Sequence, residues 1–386
     1  MNKYNFDDIT NRRHTDSIKW KVSDNELPLW VADMDFHVLP EIKEAIINKA
    51  NIDSYGYSFV PDEFFDSYIK WNKKRHDVQL KKEWLIYSNS VLSSLDVVLK
   101  RIKKPNGKII MLTPIYNTFY SCIKNNDLSA FEVEFAVNNY EFTVDFEALE
   151  NALKDDDSIA LLLCNPHNPI GKIFSKDELI KIDQLVRKYN KYLLVDEIHG
   201  DIALDKTKYN PIISVDNDYE KLIFFLAPSK TFNLASVKSS VMGVIDPQLH
   251  ELMQQGVYQD DVGEPNYFSC VANIAAYEHG EEWVNELNDY LSSNKACVIE
   301  FLNKEIPEIK AVDIKATYLM WLDISLFKLS SDEFIYRLRK ETGLFILSGS
   351  KYGKGGEGFI RMNIATNKKT IDDALNRLKT FCDSLR

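Results

Sequence analysis

Four short apolar runs in the middle of the chain constrain its fold more than any other feature. They span residues 108–114, 158–164, 191–196 and 221–226 and read KIIMLTP, SIALLLC, KYLLVD and KLIFFL. Short runs of this composition are typical of strands buried on both faces. Stretches with helical periodicity separate several runs, for example residues 175–189, where Ser175 and Glu178 form a capping-box pair. This alternation predicts an α/β fold whose large, mostly parallel sheet is covered by helices on both faces.

A polar or aromatic group follows each run at its carboxyl end. These groups are Tyr116, Asn168, Asp196 and Lys230. Because the carboxyl ends of parallel strands share one edge of a sheet, we expect the four to meet in one crevice. Each also has an ordinary structural explanation, as a core aromatic, a turn asparagine, a helix-starting aspartate and a surface lysine. Their recurrence after four runs favours a functional site.

The chemistry of this set depends on Lys230. Burial would lower the pKa of its amine and make it a usable Schiff-base nucleophile. A lysine and a carboxylate at strand ends are what a pyridoxal 5′-phosphate site requires. Asp196 would keep the pyridine nitrogen protonated, Asn168 would donate to the ring phenolate oxygen, and Tyr116 would stack on the ring.

The phosphate and the substrate need further groups. Ser90 and Val91 begin a helix after the strand at 84–89, and Ser229 and Lys238 would add a hydroxyl and a positive charge. Arginine is the natural partner of an amino-acid carboxylate. Arg361, expected on the non-core face of a strand within 356–366, is the candidate, although a structural salt bridge would also explain it.

Composition excludes several classes of protein. With 58 acidic and 47 basic residues among 386, the net charge of −11 disfavours nucleic acid and anionic membrane as partners. Five scattered cysteines, the absence of a signal-peptide pattern and the absence of a long apolar segment predict a soluble cytoplasmic protein without a metal site. Gly353, Gly355 and Gly358 match the spacing of a dinucleotide-binding loop. A strand rather than a helix is expected after them, which argues against NAD and for a mobile loop.

The chain is expected to divide into three parts. Residues 1–45 would form an N-terminal arm and part of a small domain, residues 46–285 a large cofactor-binding domain, and residues 286–386 a smaller α+β domain. The absence of a linker rich in proline, glycine or serine predicts that the domains pack together.

Several motifs together resemble the fold-type I pyridoxal-phosphate enzymes of the class I/II aminotransferase superfamily. The motifs are NPHNPIG, VDEIHGD and APSKTFNLAS. More narrowly, WVADMDF, TPIY, TYLMWLD and GGEGFIRMNIAT resemble the MalY/PatB group of cystathionine β-lyases, or C–S lyases. The resemblance implies the roles given above for Lys230, Asp196, Asn168, Tyr116 and Arg361, and places Ala32 and Asn168 at the substrate. It also implies a homodimer in which Tyr57 reaches the phosphate of the neighbouring subunit.

The chain departs from the family pattern at four positions. Ser90 and Ser236 replace glycines, Ile170 replaces a threonine, and Lys238 stands where the wider superfamily favours arginine. We expect altered cofactor affinity rather than loss of function.

The resemblance implies β-elimination from S-substituted cysteines such as L-cystathionine, as in methionine biosynthesis. An aminotransferase reaction would use the same residues. A third possibility is a regulatory role, because some relatives also bind a transcription activator.

Overall fold

The computed structural model describes residues 3–386, in which helices and strands alternate through the first two thirds of the chain. The helices are α1 (Pro40–Ala50), α2 (Asp62–His76), α3 (Val91–Ile102), α4 (Thr118–Asn125), α5 (Phe146–Lys154), α6 (Lys176–Lys188), α7 (Pro247–Gln259), α8 (Ser269–His279), α9 (Glu281–Glu305), α10 (Ser331–Thr342) and α11 (Lys368–Ser384). The strands are β1 (Leu27–Pro28), β2 (Leu85–Ser88), β3 (Lys108–Thr113), β4 (Ser129–Glu134), β5 (Ala136–Asn138), β6 (Glu141–Thr143), β7 (Ser158–Cys164), β8 (Tyr192–Asp196), β9 (Leu222–Leu226), β10 (Ser240–Val244), β11 (Lys310–Ala311), β12 (Leu319–Asp323), β13 (Leu344–Phe345), β14 (Leu347–Ser348) and β15 (Phe359–Asn363).

A seven-stranded sheet forms the centre of the larger part of the molecule. Its order is β2-β10-β9-β8-β7-β3-β4. β10 pairs antiparallel with β2 and β9, and the pairs from β9 to β4 are parallel. Successive residues of β8 pack on opposite faces, because Leu193 and Val195 join one apolar cluster and Leu194 joins another. The predicted α/β fold with a mostly parallel sheet buried on both faces is therefore confirmed.

A smaller sheet carries the C-terminal part of the chain, and its order is β11-β12-β15-β14. The N-terminal arm joins this part through β1, which pairs parallel with β13. The apolar run at residues 344–348, which reads as one strand in the sequence, forms two short strands instead. β13 pairs with β1 whereas β14 pairs with β15, so the chain changes sheets at Ile346. The predicted division after residue 285 falls inside the continuous helix α9, and the three-part division remains a prediction.

The glycine loop has the surroundings expected from the sequence. Gly353, Gly355 and Gly358 have φ values of 85°, 74° and 85°, a left-handed backbone that favours glycine. Strand β15 follows the loop, so the arrangement is not that of a dinucleotide-binding turn. None of the helices within residues 3–386 is long and apolar enough to cross a membrane.

Candidate active site

The carboxyl ends of the central strands surround a cavity of about 170 Å³. Tyr116, Asn168, Asp196 and Lys230 all line it, as expected from their positions after β3, β7, β8 and β9. The structure thus brings together four side chains that are spread along the chain from residue 116 to residue 230.

A second group of cavity residues lies at the β2–β10–β9 side of the sheet. Ser90, Val91, Ser229 and Lys238 line the cavity there. Ser88 at the end of β2 is paired with Ser240 at the start of β10, which places the segments around Ser90 and Lys238 side by side. Ser90 caps α3 by accepting from the Ser93 N–H at 3.1 Å. A helix start offers further N–H groups to an anion.

The Asp196 carboxyl group is 4% exposed and sits at the end of β8. Its Oδ1 accepts a hydrogen bond from the Ile198 N–H at 3.1 Å. Burial raises the pKa of Asp196 to about 6, while this hydrogen bond and the charge of Lys230 act in the opposite direction. A buried carboxyl of this kind strongly favours a positively charged or protonated partner.

The Lys230 amine donates to the Ala32 carbonyl at 2.8 Å, so the N-terminal arm reaches into the site. Burial and the charge of Arg361 lower the pKa of Lys230 to about 8, while the carboxylates of Asp33 and Asp196 oppose that shift. The amine is therefore partly uncharged near neutral pH, which is the form that attacks an aldehyde.

Arg361 lies on β15 and is 4% exposed. Its Nη1 donates to Asn168 Oδ1 at 3.1 Å and its Nη2 donates to the Trp30 carbonyl at 3.0 Å. Its Nε has no hydrogen-bond partner among the described residues. The N-terminal arm covers the face of β15 that carries Arg361, because Trp30 of the arm accepts from its guanidinium. An incoming carboxylate would find a guanidinium that is already oriented.

Sequence reasoning missed several residues of the cavity, of which His199 is the most informative. His199 is 2% exposed, lines the cavity, and has an Nδ1 without a partner in the described chain. Burial, assisted by the charges of Lys230 and Arg361, lowers its pKa to about 3, so the imidazole is neutral. Its position three residues after Asp196, close to the carboxyl end of β8, is the sequence feature by which it could have been found. Asn89, Cys164, Ile198 and Ser239 also line the cavity.

Tyr57 stands apart from the other candidates. It is 100% exposed and lies between α1 and α2, in a segment that also exposes Ile52, Tyr55 and Phe59. It is not among the residues that line the cavity of its own chain. Its predicted role therefore depends on a second subunit.

The residues present fit pyridoxal 5′-phosphate. Asp196 is a buried carboxyl suited to a pyridinium nitrogen, and Asn168, whose Oδ1 is engaged by Arg361, has an amide N–H₂ suited to the phenolate oxygen. Ser90, Ser229 and Lys238 with the start of α3 suit a phosphate. The Arg361 Nε, which has no hydrogen-bond partner within residues 3–386, suits a substrate carboxylate. Fold and site together are those of an α/β enzyme with a lysine amine of lowered pKa in its cavity.

Comparison with known proteins gives the same class. Residues 24–378 match the family model described as aminotransferase class I and II, so the chain belongs to this family. The chain is 32% identical to cystathionine beta-lyase PatB of Bacillus subtilis (strain 168), over 97% of this chain and 99% of that protein.

Two solved structures are similar over nearly the whole chain. One is a pyridoxal-phosphate-bound putative aminotransferase from Clostridium difficile 630, with a TM-score of 0.95 and 35% identity, covering 98% of this chain and 99% of that one. The other is cystalysin from Treponema denticola, which contains a pyridoxal 5′-phosphate cofactor. Its TM-score is 0.95 at 31% identity, covering 99% of this chain and 100% of that one.

The pKa of Lys230 predicts how the protein without cofactor captures the aldehyde. With a pKa of about 8, the uncharged fraction of the amine rises from about one tenth at pH 7 to about one half at pH 8, and levels off by pH 9. The growth rate of the visible absorption band on adding pyridoxal 5′-phosphate should follow this curve. A rate that keeps rising to pH 10 would indicate an ordinary exposed lysine.

Proposed function

We propose that the protein is a pyridoxal-phosphate-dependent carbon–sulfur lyase that carries out β-elimination on S-substituted L-cysteines. The proposed reaction converts L-cystathionine and water to homocysteine, pyruvate and ammonia. The main support is that Lys230 and Asp196 line one cavity and Arg361 is hydrogen-bonded to Asn168 in its wall, in a chain 32% identical to cystathionine beta-lyase PatB over nearly its full length.

Each side chain has a definite task in this reaction. When bound, pyridoxal 5′-phosphate supplies an electrophilic carbon for the amino group and an electron sink for Cα. Arg361 binds the substrate carboxylate and Asn168 helps to orient it. Lys230 Nζ, with its lowered pKa, takes the proton from Cα. Asp196 holds a proton on the ring nitrogen. The bond that breaks joins Cβ to sulfur, and the thiolate leaves.

The direct test is incubation of the purified, cofactor-loaded protein with L-cystathionine. Thiol, pyruvate and ammonia should appear in equal amounts without an added 2-oxo acid. Failure to release thiol from cystathionine or from any other cysteine conjugate would contradict the proposal.

Aminotransfer is the second candidate, because the solved relative from Clostridium difficile carries the description putative aminotransferase at 35% identity. The two reactions are distinguished in the same assay. Aminotransfer requires a 2-oxo acid as acceptor and converts the cofactor to its amine form between half-reactions.

We further propose a homodimer in which Tyr57 of one subunit completes the site of the other. An exposed aromatic and aliphatic segment around Tyr57 supports this, because a contiguous apolar surface often marks an interface. We also propose a cytoplasmic location. In support, the described residues contain five free cysteines, and thiols persist in reducing compartments.

Mixing two inactive variants tests the shared site. Y57A lacks the phosphate contact and K230A lacks the reactive amine, and a mixed dimer would contain one intact site. After random exchange of equal amounts, activity should recover to about a quarter of the wild-type value, because half of the dimers are mixed and half of their sites are intact. A mixture no more active than its separate components would contradict the shared site.

A further inference from the structure

The segment Trp30–Met34 of the N-terminal arm lies across the site, and we call it the strap. Its five successive main-chain carbonyls all accept hydrogen bonds from side chains. A run of non-helical backbone with every carbonyl engaged by a side chain is held in one position rather than left to solvent. The strap is therefore a fixed element of the site.

Four of the donors to the strap come from the two segments that carry the proposed reactive groups, and Arg12, Lys19 and Tyr318 also donate to it. Lys230 Nζ donates to Ala32 O at 2.8 Å, and Asn233 Nδ2 donates to Met34 O at 2.9 Å. From β15, Arg361 Nη2 donates to Trp30 O at 3.0 Å, and Asn363 Nδ2 lies 2.6 Å from both the Val31 and the Asp33 carbonyl oxygens. The strap thus links the lysine of the large sheet to the arginine of the smaller sheet.

A cluster of charged residues holds the strap from its other side. Arg12 makes two hydrogen bonds of 3.0 Å to the Asp33 carboxylate and one of 2.9 Å to Asp35 Oδ1. Lys19 Nζ lies 2.9 Å from Asp35 Oδ2, and the side chains of both residues are fully buried. Trp20 Nε1 completes the cluster by donating to Asp35 Oδ1 at 3.0 Å.

Such a cluster fixes geometry more than it adds stability. Any arrangement that separated one of these side chains from its partner would leave an unpaired buried charge, which is strongly unfavourable. The cluster therefore has few alternative arrangements. Arg12 also donates to Met34 O at 3.1 Å, which ties the cluster directly to the strap. A small displacement of a group that orients a substrate can cost a large factor in rate.

We propose that Arg12 is a positioning residue for the amino-acid substrate, because it fixes the strap. The Trp30 and Ala32 carbonyls of the strap accept from Arg361 and Lys230 and so set the positions of these two side chains relative to each other. Arg12 touches neither substrate nor cofactor and acts through the strap. The inference rests on the proposed function, since it presumes an amino acid bound between those two side chains.

The experiment uses the cofactor-loaded protein and compares R12Q with R339Q. Arg339 pairs with Glu26 and so ties the same arm to α10, but it does not contact the strap. Binding of L-alanine, which has no β leaving group, is followed by the change in the visible band of the cofactor. R12Q should weaken this binding by about tenfold to a hundredfold and lower kcat/KM for cystathionine, with cofactor affinity within about threefold of wild type. R12K should restore part of the loss, and R339Q should bind L-alanine as wild type does.

Two outcomes would overturn the inference. One is an R12Q protein that binds L-alanine as tightly as R339Q does, and the other is equal weakening in both variants, as expected from general loosening of the arm. If R12Q fails to fold, D33N gives a second test, because it removes one partner of Arg12 and leaves the Arg12–Asp35 pair in place. D33N also removes a carboxylate that raises the pKa of Lys230, so its binding of L-alanine is compared with wild type over a range of pH values. A wild-type protein that shows no cofactor band, or that binds L-alanine but releases no thiol from cysteine conjugates, would instead refute the proposed function.

Discussion

K230A is expected to lose β-elimination activity by at least about 10³-fold, the largest effect of any single substitution in this chain. In the proposed reaction Lys230 would be both the amine that captures the aldehyde and the base that takes the Cα proton, so one substitution would remove two functions. The visible band of the lysine-bound cofactor should also disappear. Absorption spectra and thiol release measured on the same sample test both effects.

K221A is the matched control for this experiment. Lys221 lies just before the same strand, β9, at its opposite end, and its amine contacts Asn190 at the surface. We expect K221A to keep the band and the activity. If K230A retained either of them, another lysine would have to be the reactive one.

D196N is expected to lower kcat by about 10² to 10³-fold while the protein remains folded. An amide cannot hold a proton on the ring nitrogen, so the cofactor loses much of its capacity to accept electrons from Cα. Stability should not suffer, because the pKa of about 6 shows that burial disfavours the charged form of Asp196. Steady-state kinetics and thermal unfolding of the variant measure the two expectations.

The neighbouring carboxyl group provides a stringent control. Glu197 is as buried as Asp196, and burial raises its pKa to about 8, but it accepts from the Ile212 N–H at 2.7 Å and does not line the cavity. E197Q should therefore keep kcat within a few-fold of wild type. Equal losses in D196N and E197Q would mean that general disturbance of a buried carboxyl pair, rather than contact with the cofactor, explains the effect.

The pH dependence of stability follows from the same two groups in the protein without cofactor. Asp196 has a folded pKa above its usual 3.8, so its destabilising effect develops as the pH rises from about 4 to about 6. Lys230 has a folded pKa below its usual 10.5, so its destabilising effect is present below about pH 8 and is relieved as the pH rises further. Near neutral pH both groups destabilise the folded protein. A bound cofactor that engages both groups should therefore increase the stability of the folded protein most in this pH range.

The sequence predicted the residues at the strand ends because their positions follow from local rules. Apolar runs such as SIALLLC form strands on composition alone, and parallel strands bring their carboxyl ends to one edge. The sequence was therefore sufficient to predict that Tyr116, Asn168, Asp196 and Lys230 lie close together. His199 escaped notice because a histidine after a strand has no periodic signal of its own.

The sequence by itself determined which apolar runs form the parallel strands and which polar side chains lie at their carboxyl ends, Lys230 and the buried Asp196 among them, since strand formation and burial depend on short-range patterns of apolar residues. Only the tertiary structure decided how Arg361 and the strap meet that lysine. Residues 12, 30–35, 230 and 361 are distant in the chain, and their contacts are hydrogen bonds and ion pairs between side chains and irregular backbone. Such contacts leave no periodicity in a sequence, because they depend on how the arm and the two sheets pack together.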